Sequence, residues 1–80
     1  MNKDILQGNW KQIRGQVKEA WGRLTDDEID EINGRLDQLI GKLQVRYGYT
    51  HQQAEQEVNN FLDAFEKEMT SAESDARYRS

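Results

Sequence analysis

Trp10-Lys11-Gln12-Ile13-Arg14-Gly15-Gln16-Val17-Lys18-Glu19-Ala20-Trp21-Gly22-Arg23-Leu24 places Trp10, Ile13, Val17, Trp21 and Leu24 three and four residues apart. That recurrence is the period of a helix with one apolar face, whereas a half-buried strand would alternate at every second residue. Asn9 stands where an N-cap would, with Gln12 three residues on as its capping-box partner, and Gly22 supplies a stop.

The same period continues outward from this stretch. Thr25-Asp26-Asp27-Glu28 is a second capping box, its acidic residues filling the turn where the helix dipole favours them, and Ile29 and Ile32 follow. Asn33-Gly34 ends or bends this short helix. Leu36, Leu39, Ile40, Leu43 and Tyr47 form a third stripe closed by Gly48. Thr50-His51-Gln52-Gln53 opens a fourth, with Ala54, Val58, Phe61, Leu62, Phe65 and Met69. The chain therefore reads as all-α, a small domain of four helices near residues 10–22, 26–33, 35–47 and 51–68. Short connections make this two αα-hairpins packed across each other. Trp10, Ile13, Val17, Trp21, Ile29, Ile32, Leu36, Leu39, Leu43, Tyr47, Val58, Phe61 and Phe65 are the expected core. Residues 1–69 form the domain, and 70–80, with no apolar stripe, are expected to be a flexible polar tail.

Composition narrows the function classes. With 80 residues, 35% of them hydrophobic, and a mean hydropathy of -1.05, there is room for one thin core. The absence of cysteine removes disulfides and thiolate metal sites, and a lone histidine, His51, does not make a metal centre. No metal and no cofactor are expected. No apolar run has signal-peptide or membrane-spanning length, so the expectation is a cytoplasmic monomer without membrane contact. Charge is uneven: residues 1–24 carry five Lys/Arg against two acids, +3, and residues 25–80 carry six against thirteen, -7, which sums to -4. An acidic protein of this kind has little general affinity for nucleic acid, but a local basic face can survive in it.

All six glycines fall in two triplets spaced by seven, Gly8/Gly15/Gly22 and Gly34/Gly41/Gly48, and a shift of 26 superposes them. That shift also brings Trp10 onto Leu36, Ile13 onto Leu39, Val17 onto Leu43 and Trp21 onto Tyr47, the pattern of an internal duplication. At about 100° per residue the glycines point away from the apolar stripes and are not packing glycines of the main core. Gly15 and Gly41 lie inside helices, where each costs about 1 kcal/mol relative to alanine. Either another element crosses closely or the helix bends there, or the pair forms an exposed strip that a partner approaches. Beside them lie Lys11, Arg14 and Lys18 on the first predicted helix and Arg35, Lys42 and Arg46 on the third, candidate contacts for a phosphate or another partner. The same side chains could simply lay their stems over the apolar stripe.

Gly8-Asn9-Trp10-Lys11-Gln12, Gly15, Val17-Lys18-Glu19, Trp21-Gly22 and Leu24-Thr25-Asp26-Asp27 form one half of a wider pattern. Gly34-Arg35, Asp37-Gln38-Leu39, Gly41-Lys42-Leu43-Gln44 and Arg46-Tyr47-Gly48-Tyr49 form the other. Together, to about Val58, they resemble the CsbD-like family of small bacterial stress proteins and its enterobacterial branch. The resemblance implies a cytoplasmic protein made under general stress, a small four-helix fold similar to SAM-like domains, and no catalytic residue or cofactor. Beyond Val58 the chain departs from the shorter, tryptophan-containing ends of that family.

The other candidate chemistry is weak. Trp10 and Trp21 belong to an apolar stripe, which makes them core before they are a stacking platform. The run Asp26, Asp27, Glu28, Asp30, Glu31 lacks the central glycine and ligand spacing of a calcium loop and reads as capping plus a solvated acidic face. His51 follows a cap residue and has no nucleophile paired with it. A concave pocket of about 300 Å³ or more is also hard to build from four short helices. The expected function is thus a non-enzymatic stress-response module that interacts with or protects a protein partner. The alternative is a nucleic-acid-binding module using the basic faces, and an enzyme ranks third.

Overall fold

The computed structural model describes the backbone of residues 2–79 and the side chains of residues 3–67. The expected polar tail at 70–80, and Met69 as a core residue, lie outside the described side chains. The described chain is helical, with no strand: α1 (Asn2–Gly8), α2 (Trp10–Ala20), α3 (Asp26–Ile32), α4 (Leu36–Tyr47) and α5 (His51–Arg79). Four of these correspond to the expected helices, although α5 continues to Arg79 where an end near residue 68 was expected. The first is an addition that corrects the expected count of four.

α1 escapes a periodicity search because only Ile5 and Leu6 are apolar among its seven residues, and adjacent residues define no period. It is nonetheless central. Leu6 is fully buried, Ile5 packs at the edge of the same core, and α1 contacts α2, α4 and α5. Asn9 does not cap α2 as expected: its side chain accepts no cap bond and instead donates from Nδ2 at 3.0 Å to the Ile5 carbonyl, which also accepts the Asn9 N–H at 3.1 Å at the end of α1. The other two capping boxes form as expected. Thr25 Oγ1 accepts the Glu28 N–H at 3.1 Å while Glu28 Oε1 accepts the Thr25 N–H at 3.0 Å, and Thr50 and Gln53 repeat the exchange at 3.1 and 3.0 Å.

The core is one cluster drawn from all five helices: Leu6, Ile13, Val17, Trp21, Leu24, Ile29, Ile32, Leu39, Ile40, Leu43, Ala54, Val58, Leu62 and Phe65. Trp10, Leu36, Tyr47 and Phe61, expected within it, are half-buried around its edge. Trp21 is buried against Phe61, ring centroids 5.0 Å apart and planes tilted by 53°, which avoids the face-to-face sandwich that aromatic quadrupoles disfavour.

Gly34 is the one glycine whose placement corrects the outward-facing expectation. It is buried, and a Cβ there would stand 3.2 Å from Gln7 Cα and 3.4 Å from Trp10 Cβ. Asn33 ends α3 in the left-handed region at φ 46° and Gly34 follows at φ 80°, so the α3–α4 turn needs both the missing side chain and the conformation that glycine tolerates. Gly48 closes α4 at φ 69°, its N–H donating to Gln44 O, as the sequence suggested.

Candidate functional site

α3 is a short acidic helix lying between two basic ones, and the six cations singled out from the sequence divide around it. Arg14 of α2 reaches Asp30, and Lys18 lies 4.0 Å from Asp26 while donating to the Leu24 carbonyl at 2.6 Å. From the other side Lys42 of α4 pairs with Glu31 at 2.5 Å, and Arg46 Nε pairs with both carboxylate oxygens of Glu28 at 2.8 and 3.0 Å. Four of the five α3 carboxylates are therefore partnered, and the acidic face, solvated as expected at Asp26, Asp27, Asp30 and Glu31, is also half of an interhelical charge lattice. Lys11 and Arg35 are exposed and form no ion pair among the described residues. The six cations thus do not make one open face.

These pairs arise from helical spacing. Arg14 and Lys18 stand four apart on α2, and Lys42 and Arg46 four apart on α4, so each pair lies along one edge of its helix. On α3 the apolar Ile29 and Ile32 turn inward, which leaves Asp26 and Asp30 along the α2 edge and Glu28 and Glu31 along the α4 edge. Most of these side chains stay partly in water, where an ion pair contributes about 0–1 kcal/mol. Glu28 is the exception in burial. Thr25's backbone N–H and then Arg46 hold its carboxyl below the ordinary carboxylate range, against an opposing effect of burial.

The glycines form the second candidate feature. Nothing comes within 4 Å of a Cβ placed at Gly15 or Gly41, so no crossing element selects glycine at either position. Gly15 is exposed and Gly41 partly so, and one turn beyond Gly41 stands Val45, a large apolar residue that is 78% exposed.

A groove of about 650 Å³ runs between α1, α4 and the start of α5. This exceeds what the helix lengths led us to expect, because α1 adds a wall that the four-helix reading lacked. Lys3, Arg35, His51, Asp37 and Glu55 line it over a floor that includes Ile40. It holds cations and carboxylates in equal number, and no serine, threonine or cysteine stands in its wall as a nucleophile for His51. Among the described residues no group of three or more His, Cys, Asp or Glu is placed to hold a metal ion, and no helix is long and apolar enough to cross a membrane. Tyr47 and Tyr49 stack at 5.4 Å, and the Arg23 guanidinium lies 5.3 Å over the Tyr47 ring. This contact ties the α2–α3 connection to the end of α4.

The chain is similar in sequence to known bacterial proteins over most of its length. The chain is 59% identical over 61 residues to the UPF0337 protein YjbJ of Escherichia coli O6:H1, covering 76% of this chain and 88% of that protein. It is 62% identical over 58 residues to YjbJ of Escherichia coli K12, covering 72% and 84%. A UPF0337 protein of Protochlamydia amoebophila is 56% identical over 63 residues, covering 79% and 96%. The CsbD-like family model matches residues 4–56, which span α1 through the first turns of α5, and the chain belongs to the CsbD-like family.

Proposed function

We propose that this chain is a non-enzymatic, cytoplasmic, monomeric stress-response protein that acts as an interaction or protective module. The observation that carries this reading is the family match over residues 4–56, because resemblance to that family implies a general-stress setting without catalytic residues. A hydrophilic surface that mixes charged and neutral polar residues, over a core that uses most of the large apolar side chains, suits a protein that works by contact. The glycine strip at Gly15 and Gly41 is the proposed approach surface, since bare backbone in open space costs helix stability and serves no internal packing.

The nucleic-acid alternative is the weaker of the two. It would need Arg14, Lys18, Lys42 and Arg46 to leave α3 carboxylates for phosphates, with only Lys11 and Arg35 of the six candidate cations without an ion pair among the described residues. We also keep the 26-residue duplication, the hairpin pair and the SAM-like likeness as proposals. Gly15 and Gly41 are alike in lying open within a helix, and both Thr-led capping boxes form. Gly8 and Gly22 differ from Gly34 and Gly48 in lacking a positive φ.

Two measurements test the function together. Light scattering from a heat-aggregating client enzyme, with and without an equimolar amount of the chain, should show suppressed aggregation. A pull-down from stressed cells, with and without nuclease, should retain its protein partners in both arms. No suppression, with all captured material lost on nuclease treatment, would overturn the proposal in favour of nucleic acid.

A further inference from the structure

We propose that α3 is an acid-releasable element: protonation of its carboxylates frees it from α2 and α4 and bares Ile29 and Ile32, while α1, α4 and α5 stay packed together. The inference rests on the charge lattice and on burial, independently of the function proposed above.

Among the described residues α3 packs against α2 and α4. The charged groups facing it are Arg14 and Lys18 from α2 and Lys42 and Arg46 from α4, and its own titratable groups are Asp26, Asp27, Glu28, Asp30 and Glu31. Acid therefore changes the sign of the balance at this one place. Four pairs become four unopposed cations flanking a seven-residue helix, and repulsion replaces attraction on both edges. The three acids in its first turn also lose their favourable interaction with the helix dipole. A helix of this length does not hold in water on its own, so without these pairs only Ile29, Ile32 and the Thr25 cap retain it.

Elsewhere the charged groups stand at the rim, Asp37 and Glu55 among them beside Lys3, Arg35 and His51 in the open groove, and of the described residues none there is paired across a helix contact as on α3. The contacts among α1, α4 and α5 are made by Leu6, Leu39, Leu43, Ala54, Val58 and Leu62, and Glu28 is the sole buried charged side chain among the described residues. Falling pH thus acts on one wall of the domain before the others, the condition for a local opening below the global one. The opening exposes an apolar face, Ile29 and Ile32 on α3 and the surface beneath them, that neutral pH keeps covered.

Amide hydrogen exchange of the full chain at pH 7 and pH 3, corrected for intrinsic rates, reads this directly. The α3 amides of Ile29, Asp30, Glu31 and Ile32 should lose about tenfold or more protection relative to Leu43, Val58 and Leu62, the scale expected when several weak pairs are lost together. At pH 7 an Asp30→Asn, Glu31→Gln double variant should show part of the same selective loss, and so should the parent in high salt. Retained α3 protection at pH 3, a loss shared equally by Leu43, Val58 and Leu62, or unchanged α3 protection in the double variant at pH 7 would each overturn the proposal.

Discussion

Arg46 in the last turn of α4 grips both carboxylate oxygens of Glu28, at 2.8 and 3.0 Å, while one of those oxygens accepts the Thr25 N–H that opens α3. One carboxylate thereby closes a capping box and bolts the start of one helix to the end of another. Each helix end also gains by its dipole, with an acid at the N-terminus of α3 and a base at the C-terminus of α4.

The first prediction separates those two roles. Glutamine can serve at the third helical position of a capping box but carries no charge for Arg46. Glu28→Gln should therefore destabilise less than Thr25→Ala, for which loss of the cap costs about 0.5–2 kcal/mol. Because the folded-state pKa of Glu28 is lowered from 4.5, its contribution is complete at neutral pH and declines as pH falls through that lowered value. Denaturation midpoints followed from pH 7 to pH 2 should show a smaller acid-induced drop in Glu28→Gln than in the parent. An equal drop would mean that other carboxylates carry the acid sensitivity.

The glycines give opposite predictions within one pattern. Gly15→Ala and Gly41→Ala should each raise stability by about 0.5–1 kcal/mol, since the new methyl meets open space and alanine is the better helix former. For a domain of this size that is a Tm increase of roughly 2–8 °C. Gly34→Ala should lower stability by about 1–3 kcal/mol, because φ 80° is unfavourable for alanine and the Gln7 backbone is 3.2 Å from the added carbon. Thermal melts of the three variants check all of this.

Such contrasts mark how far the sequence could be read. Helical stripes from Trp10 to Phe65 are legible because each helix buries a single face, and the boxes at Thr25 and Thr50 are legible because a cap is local chemistry. α1 has too few apolar residues to show a period. Gly34 looks like its five counterparts until α3 and α4 are folded against Trp10. The six cations were identifiable as flanks of their own helices, but Arg14 meets Asp30 across sixteen residues and Arg46 meets Glu28 across eighteen. Pairings at that range depend on how helices cross, which spacing along one helix does not specify.

Leu6 tests whether α1 belongs to the domain as the structure has it. Leu6 is fully buried, so Leu6→Ala should cost about 2–5 kcal/mol, most of the margin available to a core this small. Trp21→Ala, which empties the place against Phe61, should cost about 3–5 kcal/mol. Urea titrations followed by circular dichroism would measure both. A Leu6→Ala midpoint indistinguishable from the parent would detach α1 from the cooperative unit.

The last prediction concerns anionic polymers, where the count of free cations sets the result. Six phosphate contacts would give log affinity falling against log salt with a slope of roughly -4 to -5. With Arg14, Lys18, Lys42 and Arg46 held by α3 carboxylates, only Lys11 and Arg35 of the six remain, and two contacts give a slope of roughly -1.4 to -1.8. So shallow an electrostatic attraction, opposed by the exposed acids Glu55, Glu57, Asp63 and Glu66 on α5, should leave no measurable binding to duplex or single-stranded DNA near physiological salt. Fluorescence anisotropy across a salt series checks this, with Lys11→Gln, Arg35→Gln abolishing whatever weak binding appears at low salt. A slope as steep as -4 would require phosphates to displace α3 from its four cations. In that case Asp30→Asn and Glu31→Gln, by freeing Arg14 and Lys42 in advance, should tighten the binding.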